Sequence, residues 1–121
     1  MKRLLMVAFA LAAGAAPVAA QDGEVMFNNN CRTCHTTKEG DNRLGPSLAG
    51  VVGRKAGALE GFNFSESLKD SGITWDEASL DKFIENPEAV VRGNNMKPYG
   101  GMDSAEDRKT IIEFLKSKSG G

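Results

Sequence analysis

Both cysteines and the single histidine of this 121-residue chain fall within five consecutive positions, Cys31-Arg32-Thr33-Cys34-His35. Cysteines three apart on a helical turn share one face. A disulfide between them would close too small a loop to hold a fold together. A thioredoxin-like dithiol of this spacing belongs beside a βαβ pattern, and no segment here alternates like a strand for long. A structural zinc ion wants four ligands; two thiolates and one imidazole fall one short unless a carboxylate completes the set. The favoured chemistry is covalent haem attachment, of which C-x-x-C-H is the signature. Each thiol adds across a vinyl group of the porphyrin, and the next residue brings an imidazole nitrogen to the iron. Cys31 and Cys34 are therefore the expected attachment points and His35 the expected axial ligand.

The start of the chain fits such a cofactor. A basic "MKR", an uncharged apolar stretch from Leu4 to Ala16 and small residues ending at Ala20 form the pattern of a secretory signal, with cleavage expected after Ala20. The apolar stretch falls short of the ~20 residues that span a bilayer; retention of the segment as an anchor is the alternative. The expected organisation is residues 1–20 as signal and 21–121 as one domain in the periplasm, outside the cytoplasm, where haem attachment takes place in bacteria. Without Lys2 and Arg3, 13 basic side chains face 16 acidic ones, a net −3. No basic stripe is present, which argues against a nucleic-acid partner. A domain of 101 residues buries a modest core and commonly relies on a cofactor, metal or disulfide as a staple.

The remaining segments read as helices and loops. "GEVMFNNNC" suggests a short first helix with Val25, Met26 and Phe27 available to face inward. Six glycines punctuate residues 38–64, marking a long loop that wraps something. Ser65 and Gly72 would cap and stop one or two helical turns. Thr74 with Glu77 reads as a capping box for a helix whose face is Leu80, Phe83 and Ile84 and whose end is Asn86-Pro87. Ser104 with Asp107 reads as a second box, opening a last helix with Ile111, Ile112, Phe114 and Leu115 and a basic end at Lys116 and Lys118. The fold class is all-α.

A haem held by one histidine needs a sixth ligand, and no second histidine exists. A thioether suits a low-spin electron-transfer iron. The candidates past residue 20 are Met26, Met96 and Met102. Met26 lies on the first helix and reads as core filling. Met96 sits in the polar, glycine-rich "RGNNMKPYGG", where it has little core to join, and is preferred; Met102 precedes the last helix and could pack beneath it.

"CRTCH", "GPSLAGVVGRKAG", "GFNFSESLKDSGITW", "FIENP" and "RGNNM" occur in this order from Gly23 to Leu115, and together the chain resembles class I cytochrome c of the mitochondrial and periplasmic type. The resemblance implies a small single-domain cytochrome c fold, helices and long loops around one covalently bound haem c. It implies Met96 as axial ligand, a Pro46 carbonyl on the far nitrogen of His35, and Arg54 and Trp75 near a haem propionate. It also implies that Gly23 and Phe27 meet Ile111 and Phe114 where the first and last helices cross. This chain departs from the family in having Phe64 and Phe83 where tyrosines are frequent, Arg92 where a proline is usual and Asn94 where a threonine is usual. Mitochondrial lysines correspond to Asn30, Glu88 and Ala89, so the docking face is less basic.

The expected function is that of a soluble, monomeric periplasmic one-electron carrier, not an enzyme. Two protein ligands leave the iron no open position for substrate. The resemblance implies a membrane quinol–cytochrome c reductase type donor, and an oxidase, photosynthetic reaction centre or periplasmic dehydrogenase as partner. The alternatives are a haem enzyme or gas sensor with a displaceable sixth ligand, and a haem domain working within a larger complex.

Overall fold

The computed structural model describes residues 18–118. Of the expected signal segment only Val18–Ala20 falls within them; the rest lies outside the described residues, as do Ser119–Gly121. The architecture is all-helical: α1 (Val18–Asn30), α2 (Glu66–Lys69), α3 (Glu77–Glu85), α4 (Pro87–Val90) and α5 (Ala105–Ser117). Among the described residues the only extended pairing is an isolated bridge between Lys55 and Thr74.

The frame is the packing of α1 on α5 and of α5 on α3. At the first crossing Gly23 lets the helices approach. A Cβ there would lie 2.7 Å from Phe114 Cβ and 3.0 Å from the Thr110 carbonyl. One turn on, the Phe27 and Phe114 rings pack with centroids 5.4 Å apart. Ile111 and Leu115, the most deeply buried side chains, belong to α5. The expected meeting of Gly23 and Phe27 with Phe114 is thus present. The inward reading of Val25 is corrected: it is 57 % exposed, while Phe27 is buried and Met26 half-buried. Adjacent residues point some 100° apart on a helix, so Val25 and Phe27 cannot share a face.

The helix caps also differ in detail. α3 is opened by Asp76, not Thr74. Asp76 accepts the Ser79 N–H at 2.8 Å, and the Ser79 hydroxyl returns to the Asp76 N–H, completing the box two residues later than the sequence suggested. Trp75 is the reason. Its backbone is spent on the 53–56 segment, with Gly53 N–H donating to Trp75 O at 2.7 Å and Trp75 N–H to Arg54 O at 2.9 Å. The chain is therefore still extended at 75 and turns helical only afterwards. Ser65 caps α2 and Ser104 caps α5 as expected, but Asp107 returns no bond to Ser104 among the described residues; its side chain is shorter than the Glu or Gln that completes such a box.

Asn86 ends α3 and at the same time caps α4, accepting the Ala89 N–H, with Pro87 as the first helical residue. The short α4 was not apparent in the sequence. Arg108 is a second surprise. Only 6 % exposed, it donates to Asp81 on α3 at 2.8 Å and to the carbonyls of Met102 and Asp103, binding α5, α3 and the loop between them.

Candidate haem site

α1 ends at Asn30, and the chain continues as one more helical turn. Cys31 N–H donates to Phe27 O at 2.7 Å, and His35 N–H to Cys31 O at 2.9 Å. This turn places Cys31, Cys34 and His35 on the wall of one cavity of about 410 Å³, a size within the ~300–1,000 Å³ of small-molecule sites. The cavity runs through the centre of the molecule. Its walls are mostly apolar and include Leu68, Trp75, Leu80, Phe83 and Ile84, with Ile111 and Leu115 from α5.

His35 is buried, and its Nδ1 lies 2.8 Å from the Pro46 carbonyl. A carbonyl only accepts, so Nδ1 carries the hydrogen and Nε2 is left with a free lone pair. Nε2 has no hydrogen-bond partner among the described residues. Burial holds the imidazole below its usual range and the Arg54 charge adds to this, against the opposing pull of the Pro46 bond. A neutral ring with a bare nitrogen is what a metal ligand requires. The ring is held in place by Gly45: a Cβ there would sit 2.7 Å from Nδ1 and closer still to Cε1.

Cys31 and Cys34 are half-buried free thiols. In the unlinked chain Cys31 is pushed up to about 11, by burial first and then by neighbouring Cys34. Arg54 lines the same cavity, donating to Ser47 O at 3.0 Å and Ala49 O at 3.2 Å. Two of its five N–H donors are spent there, and burial lowers its affinity for a proton without discharging so strong a base. Trp75 packs against Phe83 with centroids 5.0 Å apart, also on the cavity wall.

Met96 reaches this cavity and Met102 does not. Met102 is instead tied by its backbone, its N–H donating to Ile84 O and Glu85 O at 3.1 and 3.2 Å. Met26 packs against the hydrophobic core and does not line the cavity. The structure thus brings together all seven residues singled out in the sequence: Cys31, Cys34, His35, Pro46, Arg54, Trp75 and Met96. It adds two that were not assigned a role at the cavity. Tyr99 lines it and donates its hydroxyl to Ile84 O at 2.7 Å; burial, then Cys31, pushes that phenol up to about 12. Asn94, noted in the sequence only as a departure, is buried at the edge of the Met96 loop. Neither carries a sequence signal: Tyr99 acts through Ile84, fifteen residues away, and the role of Asn94 depends on which way its buried amide is turned.

These features fit one prosthetic group: two thiols on a single turn, a neutral imidazole with an unpartnered nitrogen, a thioether, and a mostly apolar slot whose lining includes the cations Arg54 and Lys97. A family described as cytochrome c oxidase, cbb3-type, subunit III matches residues 18–115. The chain belongs to the class I c-type cytochromes. Relatives of this cytochrome include cytochrome c2 of Rhodomicrobium vannielii, 44 % identical across 98 % of this chain and 96 % of its own length. Cytochrome c2 iso-2 of Magnetospirillum molischianum is 47 % identical across 72 % of this chain and 89 % of its own. In three dimensions the cytochrome is similar to cytochrome cH from Methylobacterium extorquens, with a TM-score of 0.75 and 40 % identity over 82 % of this chain and 98 % of that one. The group the family carries is haem c, and Cys31 and Cys34 are the pair in this cytochrome that fits its attachment motif.

Proposed function

We propose that this cytochrome is an exported one-electron carrier in which His35 and Met96 are the axial ligands. The observation that supports it best is the convergence of a neutral, hydrogen-bonded imidazole and a loop methionine on the cavity that also holds both cysteines. When bound, haem c supplies an iron that cycles between ferrous and ferric states. The polypeptide does the rest. Pro46 fixes the tautomer and orientation of His35 and raises its basicity as a donor. The thioether of Met96 and the apolar walls favour the state of lower charge and hence a relatively high potential. Arg54, with N–H donors to spare, suits the acidic edge of the porphyrin, and Trp75 closes the slot beside it.

With two protein ligands no coordination position is open to a substrate, which favours a carrier over an enzyme or gas sensor. Among the described residues no helix is long and apolar enough to cross a membrane. Export to the periplasm, with loss of residues 1–20, is part of the proposal. Cleavage after Ala20 would remove the first three residues of α1 and leave its crossing with α5 at Gly23 intact. Exchange would then proceed through brief, small encounters with membrane redox complexes or periplasmic dehydrogenases.

The test is spectroscopic. The haem-loaded ferric protein is expected to show the far-red iron–sulfur charge-transfer band; Met96→Ala abolishes it and Met102→Ala retains it. Loss of the band only in Met102→Ala would reverse the ligand assignment. Rapid carbon monoxide binding to the reduced protein would replace the carrier reading with that of an enzyme or sensor.

A further inference from the structure

The loop bearing Met96 leaves α4 at Val91 and rejoins the body at Met102. One carboxylate at its base gathers three donors from it. Glu88 Oε2 accepts the Gly93 N–H at 2.8 Å, while Oε1 accepts the Lys97 ammonium at 2.7 Å and the Asn94 side-chain amide at 3.3 Å. Gly93, at φ +84°, supplies the left-handed turn that points its N–H back at α4. A carboxylate that is ionised only accepts, so the Asn94 NH2 group must face Glu88. The same NH2 donates to Val91 O at 2.9 Å. The amide oxygen is thereby turned the other way, where it accepts the Met96 backbone N–H at 2.8 Å.

Asn94 is only 4 % exposed, so water competes little for these bonds. Rotating its amide would set the oxygen against Glu88 and Val91 O, and the NH2 group against the Met96 N–H. Glu88 does not line the haem cavity; it acts on Met96 through Asn94. An exposed ion pair such as Glu88–Lys97 contributes little alone, but a carboxylate serving three donors between residues 93 and 97 holds a whole segment.

Resting on the assignment of Met96 as iron ligand, we propose that Glu88 is a positioning residue for it: through the oriented Asn94 amide it fixes the backbone from which the thioether is presented. Mitochondrial-type members bear a lysine here, so the device belongs to this chain's own departure from the family pattern.

The experiment uses haem-loaded protein and imidazole as a competitor for the Met96 position on ferric iron. Glu88→Ala is expected to bind imidazole about tenfold more tightly than wild type, the factor that accompanies loss of a charge-assisted hydrogen bond. Glu88→Gln keeps the volume but sets an NH2 group against one of the donors, and is expected to move in the same direction. Ile112→Val, buried away from the cavity, lowers thermal stability and is expected to leave imidazole affinity unchanged. Wild-type affinity in both Glu88 variants, or an equal tightening in Ile112→Val, overturns the inference. Retention of the far-red band in Met96→Ala would bring down the ligand assignment and this inference together. Its loss, with both Glu88 variants unaltered, brings down the inference alone.

Discussion

At His35 the chemistry depends on two neighbours that share its cavity wall. The Pro46 carbonyl accepts a hydrogen bond from Nδ1, which keeps its proton, and Gly45 leaves room for the ring face. A methyl group at Gly45 would meet three ring atoms at distances real Cβ contacts do not show. Overpacking of this kind costs about 1–3 kcal/mol. Gly45→Ala is therefore expected to lower both the melting temperature and the yield of attached haem, read by a pyridine haemochrome assay. An unaltered yield would mean that the loop shifts without moving the imidazole. The motif itself was legible because its chemistry lies in five adjacent residues. The Asn94 relay was not, because the direction of an amide is decided by partners on α4 and by burial.

Among the elements, the α1–α5 crossing and the start of α3 give opposite tests. Gly23→Ala should gain about 1 kcal/mol of helix propensity, yet its Cβ would strike Phe114 Cβ and Thr110 O, neither of them the end of a flexible chain. Strain of about 1–3 kcal/mol wins, and the variant is expected to melt several degrees lower; a higher melting temperature would show that the crossing opens freely. At α3, hydrogen bonds from Ser79 hold the Asp76 carboxyl below the usual range. A depressed folded value adds stability that is complete above the unfolded value of about 3.9 and is lost as pH falls through the folded one. Asp76→Asn keeps a good cap without a titrating group. Its melting temperature should fall less than that of wild type between neutral and strongly acidic pH, and parallel acid titrations would refute the assignment.

For the molecule as a whole, the central cavity decides whether the polypeptide folds without its cofactor. Unfilled core volume costs about 24 cal/mol per Å³, so 410 Å³ corresponds to an upper estimate of ~10 kcal/mol. Net stabilities of domains are about 5–15 kcal/mol. The unlinked chain is therefore expected to lack cooperative unfolding. Cys31→Ala/Cys34→Ala protein should show weak helical circular dichroism and a broad thermal transition, while the haem-linked protein melts sharply. A sharp, native-like transition in the double variant would mean that the walls collapse onto one another. Mass spectrometry of matured protein checks the linkage itself, since two thioethers add one haem to the chain.

The amino-acid sequence alone determined the attachment turn, the all-α class and the caps at Ser65 and Ser104, because each depends on residues within a few positions of one another. Met96 was favoured over Met102 by its polar loop, but only the fold set Met96 against the cavity and Met102 against the end of α3. Tertiary structure also moved the α3 cap to Asp76, since Trp75 was already bonded to the 53–56 segment, and it buried Arg108 between two helices and a loop. Those outcomes depend on which backbone groups and charges remain unsatisfied once distant segments meet, and local spacing carries no record of that.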